Sequence, residues 1–174
     1  MHLVLVGLPG SGKSTVGRQL ARRLGLLFND SDHLIEQHVG CSIRDFFARE
    51  GEAAFRDVEQ RIIDDLMRAP DGVLATGGGA VLRAANRQRL RTGGTVIYLR
   101  STPEEAFRRV RHDANRPLLQ VEDPLERLRM LHAERDPLYR ETAHFIFETG
   151  RPSVPKLVGL IIEQLQHSGL VPGR

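Results

Sequence analysis

The residues with the clearest capacity for chemistry lie at the start of the chain, in Gly7-Leu-Pro-Gly-Ser-Gly-Lys-Ser-Thr15. Gly7 to Ser14 fits the pattern G-x-x-x-x-G-K-[ST], which binds phosphate when it joins a strand to a helix. Here the apolar run Leu3–Val6 precedes it and a helix-periodic stretch runs on to Leu24. Residues without a Cβ let the N–H groups of Gly10, Ser11, Gly12 and their neighbours curl around an oxyanion, and the helix N-terminus adds partial positive charge. Lys13 can then reach the β- and γ-phosphates, Ser14 can ligate Mg²⁺, and Thr15 completes the cradle. A glycine-rich turn ahead of an ordinary helix is the plainer alternative, and the flanking strand and helix argue against it.

Asp30 and Asp32 follow the second apolar run and would place two carboxylates at a strand end. A phosphoryl acceptor needs a group to orient its hydroxyl and take its proton, and a metal ion needs oxygen ligands, directly or through water. Either Asp, Asp32 in particular, could instead cap a helix starting near His33. After the third run comes Gly77-Gly78-Gly79, which permits close backbone approach to a ligand, or else simply a turn into the next helix. Arg56 and Arg135 fall in helical stretches, and each taken singly reads as a solvated or salt-bridged surface residue. Two arginines converging on one carboxylate would make a strong clamp, but spacing alone does not show convergence. Arg116, in a polar connection, could stabilise charge on a transferring phosphoryl group or lie idle on the surface. The seven histidines show no metal-binding spacing.

The elements that must position these groups alternate. Strand-like runs at Leu3–Val6, Leu26–Asn29, Val73–Thr76, Val96–Leu99 and His144–Phe147 separate periodic stretches at Ser14–Leu24, Ser42–Met67, Ala80–Arg91, Pro103–Val110, Asp123–Arg140 and Pro155–His167. This predicts a parallel sheet with helices on both faces, ligands binding beyond the carboxyl ends of the strands. Residues 32–67 are too long for one crossover and carry turns near Gly40 and Gly51, which suggests an inserted helical region. The polar, proline-containing stretch 111–123 is suited to a lid.

The chain's 174 residues fit one domain. Apolar content of 40% and charged content of 27% are ordinary for a globular protein, and no apolar run is long enough to cross a membrane. The sequence enters its first strand at once, so no secretory signal is expected, and the lone Cys41 can form no internal disulfide; a cytoplasmic protein is expected. Of the 25 basic residues only Lys13 and Lys156 are lysines. The pI of 9.6 is weak support for nucleic-acid binding, because no basic run is interleaved with aromatics.

Taken together, GLPGSGKST (7–15), FNDSD (28–32), the Phe-Arg of GEAAFRDVE (51–59), TGGGA (76–80), RPLL (116–119) and RDPLY (135–139) resemble the shikimate kinase family, small P-loop kinases of the nucleoside monophosphate kinase-like group. The resemblance spans nearly the whole chain. It implies a three-layer α/β/α fold with a five-stranded parallel sheet, and transfer of the ATP γ-phosphoryl group to the 3-hydroxyl of shikimate, a small-molecule substrate, with Mg²⁺. It further implies that Ser14 and Asp30 serve the metal, Asp32 meets the acceptor hydroxyl, Arg56 and Arg135 grip the shikimate carboxylate, and Gly77, Gly78 and Gly79 line the ring. Arg116 would meet ATP phosphates from the lid, with Arg109 and Arg151 near adenine. A gluconate kinase or nucleoside monophosphate kinase would share the phosphate loop and lid. The joint presence of Asp32, Arg56, the glycine triplet and Arg135 suits a small hydroxylated carboxylate better. A nucleotide-dependent switch without catalysis has less need of both carboxylates. The size suits a monomer that binds neither nucleic acid nor membrane.

Overall fold

The computed structural model describes residues 1–111 and 121–173. Five parallel strands form one sheet in the order β2-β3-β1-β4-β5, with β1 at His2–Val6, β2 at Leu27–Asp30, β3 at Gly72–Ala75, β4 at Thr95–Arg100 and β5 at Phe145–Glu148. The central strand β1 is apolar throughout because both its faces are covered. Val4 and Val6 point into a core with Leu74, Val96, Tyr98, Leu128 and Tyr139, while Leu3 and Leu5 point into another with Val73, Ile97, Leu20 and Ile161. Helices α1 (Lys13–Leu24) and α8 (Val154–His167) cover the second face. The first is covered by α4 (Glu52–Arg68), α5 (Ala84–Gly93), α6 (Pro103–Val110) and α7 (Pro124–Thr142).

Between β2 and β3 the chain forms α2 (Ser31–Val39) and α3 (Ile43–Glu50) before α4. These three helices share a small core of their own around Ile35, Phe46 and Phe55. The periodic stretch 42–67 is thus two helices, broken at Gly51, whose φ of 87° ends α3 and starts α4. Helix α5 begins at Ala84 rather than Ala80, because the intervening residues close turns on the glycine triplet, Ala80 N–H donating to Gly77 and Leu82 N–H to Gly79. Strand β5 begins one residue later than expected. His144 is held to Val96 instead by two bonds, its own N–H donating to the carbonyl and its Nδ1 accepting the Val96 N–H.

The strand order creates a switch point between β1 and β3: the chain leaves β1 toward one edge and β3 toward the other, and ligands of such sheets bind in the crevice so opened. Pairing of β2 with β3 sets Asp30 opposite Ala75, which brings the residues after both strands together.

Candidate functional site

The loop after β1 is built for an anion. Gly10 has φ 84°, and a Cβ there would lie 2.6 Å from the carbonyl oxygen of Ala106, so both conformation and space demand glycine. Helix α1 starts with no side-chain cap and no acidic residue in its first turn, which leaves its N–H groups and positive end to the loop. The Lys13 ammonium is buried among the loop's oxygens, donating to the carbonyls of Gly7 (2.7 Å) and Leu8 (2.8 Å).

Ser14 Oγ donates to Asp30 Oδ2 at 2.5 Å. The other oxygen of Asp30 accepts from the N–H groups of Asp32 (3.0 Å) and His33 (3.4 Å), so Asp30 is the N-cap of α2. The alternative in which Asp32 caps this helix is therefore corrected. With Asp30 in that position, Asp32 falls in the first turn, and its carboxylate lines the cavity.

The turn after β3 is where the remaining groups meet. Its backbone is anchored by Gly77 N–H donating to the buried Ser31 Oγ at 3.1 Å. A Cβ on Gly77 would come within 2.6 Å of Asp32 Oδ1, one on Gly78 within 3.3 Å of Arg135 Nη1, and one on Gly79 into the guanidinium of Arg56. Three successive glycines thus lie against a carboxylate and two guanidinium groups drawn from α2, α7 and α4. Arg56 and Arg135 are only 7% and 2% exposed, which overturns their reading as surface residues. Arg56 Nη1 donates to Glu59 Oε1 at 2.9 Å, with Glu52 3.5 Å from the other nitrogen. Arg135 Nε and Nη1 are buried without a hydrogen-bond partner among the described residues. Burial pushes the Glu59 carboxyl above its ordinary value, opposed chiefly by Arg56 and less by Arg135.

A cavity of about 730 Å³ joins the phosphate loop to this region. Lys13, Ser14, Asp30, Asp32, Gly77 and Arg109 are among its lining residues. Arg56 and Arg135 do not line it; Arg135 is buried against Gly78, which does, and Arg56 against Gly79, the next residue of the turn. Such an arrangement can hold a phosphate chain at one end and an anionic, hydroxylated molecule at the other, with a carboxylate between them.

A family model described as shikimate kinase matches residues 9–166. The chain belongs to the shikimate kinase family. It is 63% identical to a shikimate kinase of Paracidovorax citrulli over 99% of this chain and 96% of that one, and 55% identical to one of Ralstonia nicotianae over 98% and 90%. A solved shikimate kinase from Acinetobacter baumannii, in complex with shikimate, superposes with a TM-score of 0.95 at 45% identity, covering 97% of this chain and 94% of that chain. A deoxyadenosine kinase from M. mycoides, at 13% identity and a TM-score of 0.59 over 95% of this chain and all of that one, shares the fold alone.

Among the residues that the family resemblance selects, the structure brings Lys13, Ser14, Asp30, Asp32, Gly77 and Gly78 to one cavity, leaves Gly79 outside its lining, and sets Arg56 and Arg135 against the glycine turn. Arg109 is pinned at the cavity's far side, Nη1 donating to the Gly10 carbonyl at 3.0 Å and Nη2 to that of Thr149 at 3.1 Å. Arg151 is exposed and does not line the cavity. Arg116, with RPLL and most of the expected lid, lies outside the described residues. Sequence reasoning gave no role to Glu59, Ser31 or Tyr139. For Glu59 a signal was present, since Arg and Glu three apart on a helix share a face.

Proposed function

We propose that this chain transfers the γ-phosphoryl group of ATP to the 3-hydroxyl of shikimate, giving shikimate 3-phosphate and ADP on the route to chorismate and the aromatic amino acids. The observation that carries this reading is the meeting of Asp32, Arg56 and Arg135 on the glycine turn, one cavity away from the phosphate loop.

In this reading the loop N–H groups of Gly10 to Thr15 and the start of α1 cradle the ATP phosphates, and Lys13 neutralises them. Arg56 and Arg135 hold the shikimate carboxylate through charge-assisted hydrogen bonds, for which Arg135 has two buried nitrogens without a hydrogen-bond partner among the described residues. Gly77, Gly78 and Gly79 let the ring approach the backbone. Asp32 aims the 3-hydroxyl at the γ-phosphorus and takes its proton as the bond to phosphorus forms. Arg116, in a lid over residues 111–123, would meet the phosphates, and Arg109 and Arg151 would flank the adenine.

The adjacent oxygens of Ser14 and Asp30 fit Mg²⁺, which commonly takes few protein ligands and keeps several waters. Ser14 would bind it directly and Asp30 through water, and the ion would neutralise charge on the phosphate oxygens. Residues 32–67 serve as the substrate-binding region of a single domain, and the protein acts as a cytoplasmic monomer without nucleic-acid or membrane partners. No helix among the described residues is long and apolar enough to cross a membrane.

The test is ADP release from Mg²⁺·ATP with shikimate, gluconate and the common nucleoside monophosphates offered separately. Saturable turnover with shikimate alone is expected. Turnover with gluconate or a nucleotide but not shikimate would overturn the assignment.

A further inference from the structure

The three carbonyls of the glycine triplet are held in different ways. Those of Gly77 and Gly79 accept ordinary turn bonds from Ala80 and Leu82, each at 3.1 Å. The middle one, Gly78, is held by a side chain: Tyr139 Oη donates to it at 2.6 Å. Tyr139 is fully buried on α7, one turn beyond Arg135, with Pro137 between them. Burial pushes the Tyr139 hydroxyl up to about 12, opposed chiefly by the nearby Arg135 guanidinium. A phenolic hydroxyl has one proton to give, here donated to Gly78, and lone pairs left to receive.

The second tyrosine of the chain supplies a contrast. Tyr98 lies beside Tyr139 with ring centroids 4.9 Å apart, and its hydroxyl donates to Asp136 Oδ1 at 2.7 Å. Both tyrosines therefore tie the same helix into the core, but Tyr139 alone bonds the glycine turn. Gly78 in turn packs against Arg135 and Pro9, the latter in the phosphate loop. One hydroxyl thus fixes the turn that borders the cavity, and the Arg135 guanidinium is packed against that same turn.

We propose that Tyr139 is a positioning residue for the acceptor side, its hydroxyl setting the spacing between Gly78 and Arg135 and so the affinity for shikimate, without touching the substrate. This rests on the reading of Arg135 as the carboxylate clamp.

Three variants and one spectroscopic reporter test it. Tyr139→Phe raises the shikimate KM about tenfold, the scale of one buried carbonyl left unsatisfied, with kcat and the ATP KM within about twofold. Tyr98→Phe lowers Tm comparably and leaves the shikimate KM unchanged. An unchanged shikimate KM in folded Tyr139→Phe overturns the proposal, and so does an equal rise in Tyr98→Phe, which would mean general loosening of α7. Arg135→Ala separates the two levels of argument. If it leaves the shikimate KM unaltered, the clamp reading fails and this proposal falls with it; if it raises the KM while Tyr139→Phe does not, only the positioning role is lost.

Should Tyr139→Phe not fold, 3-fluorotyrosine incorporated into the Tyr98→Phe chain places a single ¹⁹F reporter at position 139. Its resonance shifts on saturation with shikimate and not with ATP alone. No shift at saturating shikimate overturns the proposal.

Discussion

Arg56 and Glu59 form an ion pair of 2.9 Å with both side chains withdrawn from water, Glu59 at 1% exposure. Their spacing on α4 puts them on one face, and the pair stands against Gly79. A buried pair contributes little net stability, but breaking it leaves an uncompensated charge, at a cost of about 3 kcal/mol. Glu59→Gln should therefore lower the unfolding free energy by that order, read as a lower urea midpoint at an unchanged m-value. It should also raise the shikimate KM, because among the described residues Arg56 then keeps only the half-exposed Glu52 as an acidic partner. Equilibrium unfolding and steady-state kinetics on the same preparation check both parts.

Asp32 and Arg135 should separate in kinetics. Asp32→Asn keeps the shape but removes the proton acceptor, so kcat falls by about a hundredfold or more with a smaller change in the shikimate KM. Arg135→Ala removes charge-assisted hydrogen bonds of about 1.5–3 kcal/mol each, which appears mainly as a higher shikimate KM. Full kinetic curves in both substrates distinguish the two. Normal shikimate affinity in Arg135→Ala would refute the clamp.

Gly79→Ala tests the convergence itself. The position lies outside the left-handed region, so the backbone accepts alanine, but the new methyl enters the space of the Arg56 guanidinium. Displacing that group from Glu59 should raise the shikimate KM by about tenfold, on the scale of a charged hydrogen bond, while the ATP KM stays near its original value. A variant with unchanged shikimate kinetics would show that Arg56 does not need its observed position.

His144 should make the join of β4 and β5 sensitive to acid. Its Nδ1 accepts the Val96 N–H at 2.9 Å, a bond available only to the neutral ring. Burial lowers its pKa below the model-compound value of 6.5, with Arg91 adding to the effect. Because the folded pKa is the lower one, the stabilisation is complete above the unfolded value and is lost as pH falls through about 6.5 toward the folded pKa. His144→Asn, whose side-chain oxygen accepts at any pH, should show a smaller fall in Tm between pH 8 and pH 5 than the unsubstituted protein. Parallel thermal melts across that range measure the difference.

The phosphate loop was legible because its chemistry is backbone chemistry. Glycines, a lysine and a serine at fixed spacing, between an apolar run and a helix, define the loop with little help from the rest of the chain. The strands were legible for a similar reason, since burial on both faces requires continuous apolar runs such as Leu3–Val6 and Val96–Leu99. Their ends were less so. His144 adds a side-chain bond where a strand pairing was expected, and Ala80 to Arg83 close turns where a helix was expected to begin.

What the sequence by itself determined is the donor half of the site and the membership of motifs in one family, because both depend on residue types at short separations. Which arginines leave the surface was decided only in three dimensions. Arg56 and Arg135 look like their solvated neighbours in composition and periodicity. They become buried cations because β2 pairs with β3, which carries Asp32 to Gly77, and because α4 and α7 then close over the same turn. Ser31 and Tyr139 acquire their partners in the same step, whereas Glu59 meets Arg56 within α4. Burial of a charge depends on what surrounds it from every side, and residues as far apart in the chain as Asp32, Arg56, Gly78 and Arg135 become neighbours only when the sheet order is set.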